Sequence, residues 1–129
     1  MIGIVLVSHS AALAEGLADM AEQISGGDVR IVPAGGGPDG TLGTRGDVIA
    51  GAIGDADSGN GVLVLADLGS AILSVKAALD SGEVDGTHAL LADAPLVEGA
   101  IAAAVAASIG QDLEAVRGAA EEAWSVRKL

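Results

Sequence analysis

Four short runs of apolar and often β-branched residues recur along the chain, and the segments between them carry apolar positions at helical spacing. The four runs are Ile2–Val7, Val29–Val32, Gly61–Ala66 and Thr87–Ala92. Continuous apolar runs of this length are typical of strands buried on both faces. Strands therefore alternate with helices. This alternation predicts an α/β fold with a mainly parallel open sheet, right-handed crossovers and flavodoxin-like layers of helices on both faces.

Helix start and stop signals fit this order. Ser10 can cap a first helix, and Gly26-Gly27 can end it. The apolar positions at helical spacing in that helix are Leu13, Leu17, Met20 and Ile24. Thr44 is predicted to begin the second helix, with Asp47 in the capping-box position.

The second half of the chain continues the pattern. Pro95 suits the first turn of a helix that runs to about Ser108. Its segment Ala100–Ala107 is nearly all Ala, Ile and Val, so it should pack closely against the sheet or a second subunit. A last amphipathic helix is expected over about Asp112–Val126. With no linker or repeat, the length of 129 residues predicts one domain, residues 1–129.

Composition removes several classes of function. A net charge of −12 makes nucleic acid and anionic membranes poor partners. The absence of cysteine excludes disulfides, zinc–thiolate sites and cysteine nucleophiles. With only two histidines and no P-loop, no metal or cofactor is expected. No apolar stretch is long enough to span a membrane and no signal peptide is apparent, so we expect a soluble, cytoplasmic protein.

The predicted strand directions assign each polar residue to one of the two edges of the sheet at which the strands begin or end. His9 follows the first strand, Asp67 and Ser70 follow the third, and these carboxyl ends share one edge. Asp93 follows the fourth strand and is interpreted as a helix cap. His88 begins that strand, so it falls near the opposite edge and is interpreted as structural.

If the first and third strands are neighbours, His9 and Asp67 come together. The carboxylate could then hold one ring nitrogen and leave the other free as a nucleophile. The helices that start at Ser10 and after Asp67 would point their N–H groups at the same place, which suits a phosphate. A lone histidine after a strand is more often a capping or surface residue, so the hypothesis depends on this grouping.

Three segments carry a resemblance to a known family. They read VLVSHSAALAEG, GVLVLADLGSAILS and ADAPLVEGAIAAAVAAS. In this order and spacing they resemble the phosphotransferase subunits of bacterial dihydroxyacetone kinases, the DhaM group of the mannose-type enzyme IIA family. The resemblance covers essentially the whole chain. The loop Ala34–Gly40 departs from it, because it is richer in glycine than expected.

The resemblance implies roles for individual residues. His9 would accept a phosphoryl group from phospho-HPr, and Asp67 would assist it. The backbone N–H groups of Gly69 and Ser70 would cradle the phosphate, and Thr44 is a further expected contact. The phosphoryl group would pass to ADP bound on the subunit DhaL, and the ATP formed would serve dihydroxyacetone on DhaK. Members of this family are homodimers, so a homodimer is expected.

Two other interpretations stay open at this point. A sugar-transporting mannose-type enzyme IIA would hand the phosphoryl group to an enzyme IIB, although the APLVEG element favours the kinase group. A flavodoxin-like module could instead bind a ligand without covalent chemistry. The segment Gly35–Gly40 matches G-x-G-x-x-G, but Pro38 interrupts it and it follows the second strand, so a glycine-rich turn is the better interpretation.

Overall fold

The computed structural model describes all of residues 1–129, and at its centre is a four-stranded, fully parallel sheet of order β2-β1-β3-β4. The strands are β1 (Gly3–Ser8), β2 (Ile31–Gly35), β3 (Val62–Ala66) and β4 (Ala89–Leu91). The chain adds β2 on one side of β1 and then returns to add β3 on the other. The boundary between β1 and β3 is therefore the switch point of the sheet, where α/β proteins form their sites.

Five helices cover the two faces of this sheet, which confirms the predicted α/β fold. They are α1 (Ala11–Ser25), α2 (Gly46–Ala56), α3 (Gly69–Asp80), α4 (Leu96–Ser108) and α5 (Leu113–Glu122). One apolar cluster joins the sheet to α1, α4 and α5, and a second joins it to α2 and α3. None of the helices is long and apolar enough to cross a bilayer.

The two central strands are completely buried, because both of their faces are covered. Their side chains alternate between the two clusters, as the period of two in a strand requires. Ile4 and Leu6 face α1, α4 and α5, whereas Val5 and Val7 face α2 and α3. The continuous apolar run at the start of the chain therefore supplies alternate residues to the two apolar clusters on either side of the sheet.

The alanine-rich helix α4 packs within its own chain. Its alanines at positions 100, 103, 104, 106 and 107 are all buried in the cluster that also contains Ile4, Leu6 and Val116. Gly99 lies so close to the sheet that an added Cβ would come within 3.0 Å of Leu65 Cδ2. The segment Ala100–Ala107 therefore packs against the sheet and the neighbouring helices, the first of the two possibilities given by the sequence.

The second strand lies further along the chain than predicted. It covers Ile31–Gly35 rather than Val29–Val32, and it includes Pro33, which pairs with Leu6. Proline removes one donor from the ladder, and it is tolerated here because β2 is an edge strand. The sequence predicts an earlier end to this strand because a proline followed by glycines is typical of the start of a loop.

Three expectations about helices also need correction. The N-cap of α2 is Arg45, which makes no side-chain cap, so Thr44 and Asp47 form no capping box. Asp93 does not cap α4, since Pro95 occupies that position. The last helix ends at Glu122 and continues as a short 3₁₀ turn over Ala123–Ser125.

The buried face of α1 differs from its most apolar stripe. Leu17 is buried, but Leu13, Met20 and Ile24 are between 40% and 54% exposed. The face that packs on the sheet and α4 is instead built mainly from alanines, which let the helix approach closely. These alanines are Ala14, Ala18 and Ala21.

Candidate active site at the carboxyl edge of the sheet

His9 and Asp67 meet where the two central strands end. β1 and β3 are neighbours in parallel register, with Val7 opposite Ala66. The next residues along each strand direction therefore emerge at the same edge. His9 Nδ1 lies 2.9 Å from Asp67 Oδ1, and the His9 backbone N–H donates to Asp67 Oδ2 at 3.0 Å. The structure brings this predicted pair together although 58 positions separate them.

The Asp67 carboxylate is fully occupied by donors. Besides the two contacts from His9, the Leu68 N–H donates to Oδ1 at 2.7 Å and the Ser8 hydroxyl donates to Oδ2 at 2.9 Å. Burial raises the pKa of Asp67, but the hydrogen bonds from His9, Ser8 and Leu68 outweigh it and lower that pKa below its ordinary value. Asp67 is therefore an anion at neutral pH, held in a fixed orientation.

An anionic Asp67 determines how His9 presents its ring. The carboxylate can only accept, so Nδ1 carries a proton and donates it. In the neutral ring, Nε2 then has the lone pair, and it points away from Asp67. Ser70 Oγ lies 2.6 Å from Nε2 and serves as its donor. The His9 side chain is 23% exposed, so this nitrogen is reachable from solvent once the Ser70 hydroxyl moves.

Two helices begin directly after His9 and Asp67. Ser10 is the N-cap of α1, where its hydroxyl accepts from the Leu13 N–H at 3.2 Å. Gly69 is the first residue of α3, and its N-cap, Leu68, offers no side-chain acceptor to the first turn. An added Cβ at Gly69 would meet no atom within 4 Å, so this turn is open. The uncapped N–H groups of α3 favour an anion.

Thr44 lies on the loop that borders the site, and its hydroxyl is already engaged. Thr44 Oγ1 is 2.6 Å from Ser74 Oγ on α3. The neighbouring Gly43 N–H donates to the His9 carbonyl at 2.9 Å. The loop therefore contacts the His9 backbone through Gly43, while the Thr44 side chain faces α3.

The remaining polar candidates lie apart from His9. His88 is exposed at the opposite edge, as predicted, and its carbonyl accepts from the Val62 N–H at 2.9 Å. Asp93 lies on the same edge as Asp67. Its carbonyl accepts from the Trp124 ring N–H, and its own N–H donates to Glu121 Oε2. Neither side chain hydrogen-bonds to His9.

Two residues of the site were missed from the sequence. Ser8 is the only fully buried polar residue of the chain, and it holds both Asp67 and the Ser10 N–H. A serine that ends an otherwise apolar buried strand was the available signal. Ser74 was missed because it reads as an ordinary polar position inside α3.

Comparison with known proteins decides the family. The sequence profile of the EIIA-man family, described as the PTS system fructose IIA component, matches residues 3–117. A protein of Listeria innocua, PEP-dependent dihydroxyacetone kinase 2 phosphoryl donor subunit DhaM, is 41% identical over 117 residues, which are 90% of this chain and 94% of that protein. The chain belongs to the EIIA-man family, within its DhaM group.

Other relatives of this EIIA-man chain differ in length. The phosphoryl donor subunit DhaM of Pantoea ananatis is 40% identical over 99% of this chain, but the match spans only 28% of that longer protein. A crystal structure of a protein of unknown function, EF1359, is 40% identical and superposes with a TM-score of 0.80, covering 94% of this chain and 93% of its own. The DhaM group thus includes chains of this size and longer ones.

Proposed function

We propose that this chain is a phosphohistidine carrier, the phosphoryl donor subunit of a dihydroxyacetone kinase, with His9 as the residue that is phosphorylated. The observation that carries the proposal is the pairing of His9 Nδ1 with Asp67 at 2.9 Å, which leaves Nε2 as the nucleophilic nitrogen. Membership of the DhaM group supports it. Asp67 holds the ring and stabilises the positive charge that it gains during transfer.

The donor is phospho-HPr, as the resemblance implies. The Nε2 lone pair of His9 attacks phosphorus as the bond from phosphorus to the donor nitrogen breaks, and the donor keeps that electron pair. The reaction requires the two nitrogens in line with phosphorus. Ser70 Oγ occupies the approach to Nε2 at 2.6 Å, so its hydroxyl must turn away and can then donate to a phosphoryl oxygen.

The phosphoryl group brings about two negative charges to a chain whose net charge is already −12. The first turns of α1 and α3 offset this locally with backbone N–H groups and with their positive helix ends. In this proposal Gly69 and Ser70 hold the phosphoryl oxygens, Ser10 lies at the other helix start, and Thr44 borders the site. No lysine or arginine pairs with His9 or Asp67, so backbone N–H groups and the Ser70 hydroxyl carry the charge stabilisation.

The acceptor is ADP bound on DhaL. A terminal oxygen of ADP attacks phosphorus, the bond to Nε2 breaks, and the electron pair returns to the imidazole. ATP forms on DhaL and phosphorylates dihydroxyacetone on DhaK. The names of the relatives at about 40% identity support this acceptor over an enzyme IIB.

The loading experiment incubates the purified chain with phosphoenolpyruvate, enzyme I and HPr and counts phosphoryl groups by mass spectrometry. One acid-labile phosphoryl group per chain is expected. The substitution His9→Ala should abolish loading, whereas His88→Ala should load normally. Loading of the His9→Ala chain would overturn the assignment.

The phosphorylated chain is then offered to DhaL with bound ADP and, separately, to a mannose-type enzyme IIB. Formation of ATP with DhaL is expected. Transfer to enzyme IIB alone would instead support the sugar-transport alternative. Failure of every loading reaction, together with a small molecule that copurifies with the chain, would support a non-covalent binding module.

The homodimer expected from the resemblance is part of the proposal. The small-residue helix α4 gives it no support, because those alanines pack inside the chain. Light scattering at micromolar concentration should give twice the chain mass. A monomer under these conditions would contradict the pairing without affecting the assignment of His9.

A further inference from the structure

Two hydroxyl groups, of Ser74 and Thr44, connect α3 to the loop that borders His9. Ser74 lies one turn after Ser70 on α3, and its Oγ is 3.1 Å from the Ser70 carbonyl oxygen. The same Oγ is 2.6 Å from Thr44 Oγ1, across 30 positions of the chain. Ser74 and Thr44 are both half-buried. A hydroxyl bond to the carbonyl one turn earlier is ordinary in helices, but the bond to Thr44 is not local.

The direction of these bonds follows from the number of protons. A carbonyl oxygen can only accept, so the Ser74 hydroxyl donates its one proton to Ser70. Thr44 must then be the donor in the contact with Ser74. The Thr44 proton is therefore used inside the protein, and Thr44 can donate to a phosphoryl oxygen only by releasing Ser74.

Ser74 thereby joins two of the segments that contact His9, the Ser70 turn and the loop of Gly43 and Thr44. On one side is Ser70, whose hydroxyl lies 2.6 Å from His9 Nε2. On the other side is the loop of Thr44, whose neighbour Gly43 donates to the His9 carbonyl at 2.9 Å. Ser74 makes no hydrogen bond to His9 itself.

We propose that Ser74 is a positioning residue for phosphoryl transfer, and that it fixes the loop of Gly43 and Thr44 against the Ser70 turn so that both stay in place at His9. The inference rests on the proposed function of His9 and adds a residue to it. Ser74 acts through its neighbours. Its loss should slow transfer by loosening the groups that orient the ring and receive the phosphoryl oxygens.

The helix makes the test sharp. Alanine is a better helix former than serine, so Ser74→Ala should not weaken α3 through its intrinsic propensity. Ser74→Thr keeps the hydroxyl, and in a helix a threonine hydroxyl can bond the same carbonyl one turn earlier. Ser108→Ala is the matched control, because Ser108 Oγ donates only to the Val105 carbonyl of its own helix, at 2.6 Å.

The experiment measures three properties of each variant: the rate of loading from phospho-HPr, the ¹⁵N chemical shift of His9 Nε2 in the unphosphorylated chain, and the unfolding midpoint. For Ser74→Ala we expect loading to slow between about tenfold and 100-fold and the Nε2 signal to move. The midpoint should stay close to that of the wild type, because the half-buried Thr44 hydroxyl can turn to water and alanine favours the helix. Ser74→Thr should restore most of the rate, and Ser108→Ala should change neither rate nor signal.

The inference is overturned if Ser74→Ala loads at the wild-type rate with an unchanged Nε2 signal, or if Ser74→Thr loads as slowly as Ser74→Ala. Failure of the proposed function looks different, because the wild type itself would then accept no phosphoryl group. The Nε2 signal still tests the effect of Ser74 on His9 in that case, since it is recorded without phosphate.

Discussion

Ser8 donates a hydrogen bond from a fully buried hydroxyl to Asp67 Oδ2, at 2.9 Å and across 59 positions of the chain. The same oxygen of Ser8 accepts from the Ser10 N–H at 3.0 Å. One hydroxyl thus holds both the carboxylate that orients His9 and the residue that begins α1.

Replacing Ser8 by alanine should destabilise the chain and raise the pKa of Asp67. The substitution removes one donor from the carboxylate and leaves the Ser10 N–H without its acceptor, so we expect a loss of about 1–3 kcal/mol in unfolding free energy. Urea unfolding measures the loss, and Ser125→Ala, at an exposed position, is the control. A loss no larger than that of the control would contradict this account of Ser8.

Replacing Asp67 by asparagine should slow loading of His9 on the order of 100-fold. Asp67 Oδ2 accepts from the His9 N–H, and Oδ1 accepts from the Leu68 N–H. In asparagine one of these oxygens becomes an NH₂ group, which cannot accept, so whichever way the amide turns one backbone N–H faces another donor. The ring also loses its anionic partner. Loading kinetics from phospho-HPr check this, with Asp93→Asn as a control at the same edge. Wild-type kinetics in Asp67→Asn would show that the carboxylate does not orient the ring.

The lowered pKa of Asp67 predicts a loss of stability in acid. The Asp67 carboxyl group binds a proton less tightly in the folded chain than in the unfolded chain. As the pH falls towards the ordinary pKa of an aspartate, about 4, the unfolded chain therefore takes up more protons than the folded chain. Asp67 therefore contributes to the unfolding free energy at pH values above its unfolded pKa. This contribution is lost as the pH falls through its lower, folded pKa.

The unfolding free energy is measured as the pH is lowered below about 4. It should fall less steeply in Asp67→Asn than in the wild type. Asp19→Asn, at an exposed position of α1, removes the same formal charge and should keep the wild-type slope. This comparison matters because general charge repulsion also changes as an acidic chain is protonated. Parallel curves for wild type and Asp67→Asn would refute the coupling.

Two glycines, Gly35 packed against α1 and Gly16 within it, should respond in opposite directions to replacement by alanine. A Cβ at Gly35 would come 2.7 Å from the Ser10 carbonyl oxygen, so α1 would have to shift at the residue that follows His9. A Cβ at Gly16 meets no atom within 4 Å. In a helix interior, alanine is more stable than glycine by about 1 kcal/mol. Thermal unfolding should show a lower midpoint for Gly35→Ala and a higher one for Gly16→Ala. Two shifts of the same sign would contradict the packing described.

The pairing of His9 with Asp67 could be anticipated because it depends only on strand order and direction. Both residues follow buried strands, and parallel neighbours end at one edge. The contacts of Ser8 and Ser74 depend on side-chain directions that strand order does not determine. The sequence predicts the Thr44 hydroxyl at a helix start, but in the structure this hydroxyl bonds to Ser74 on α3 and Arg45 occupies the N-cap.

The same limit applies to the second strand and the first helix. Pro33 extends β2 only because nothing pairs on its outer side, and the edge position of β2 is a property of the whole sheet. In α1 the alanines are buried and the larger apolar residues Leu13, Met20 and Ile24 are not. Helical periodicity correctly indicated the helix, but close packing determined its buried face.

The parallel pairing of β1 with β3 has a kinetic consequence for a protein made largely of local helices. His9, Ser8 and Asp67 converge only after a crossover of nearly half the chain has closed, so the site is an interaction of high contact order and should form late in refolding. A chain with its helices formed but its central strands unpaired would have no oriented imidazole. Competence to accept a phosphoryl group would then report completed folding, and it should lag behind the recovery of helical circular dichroism.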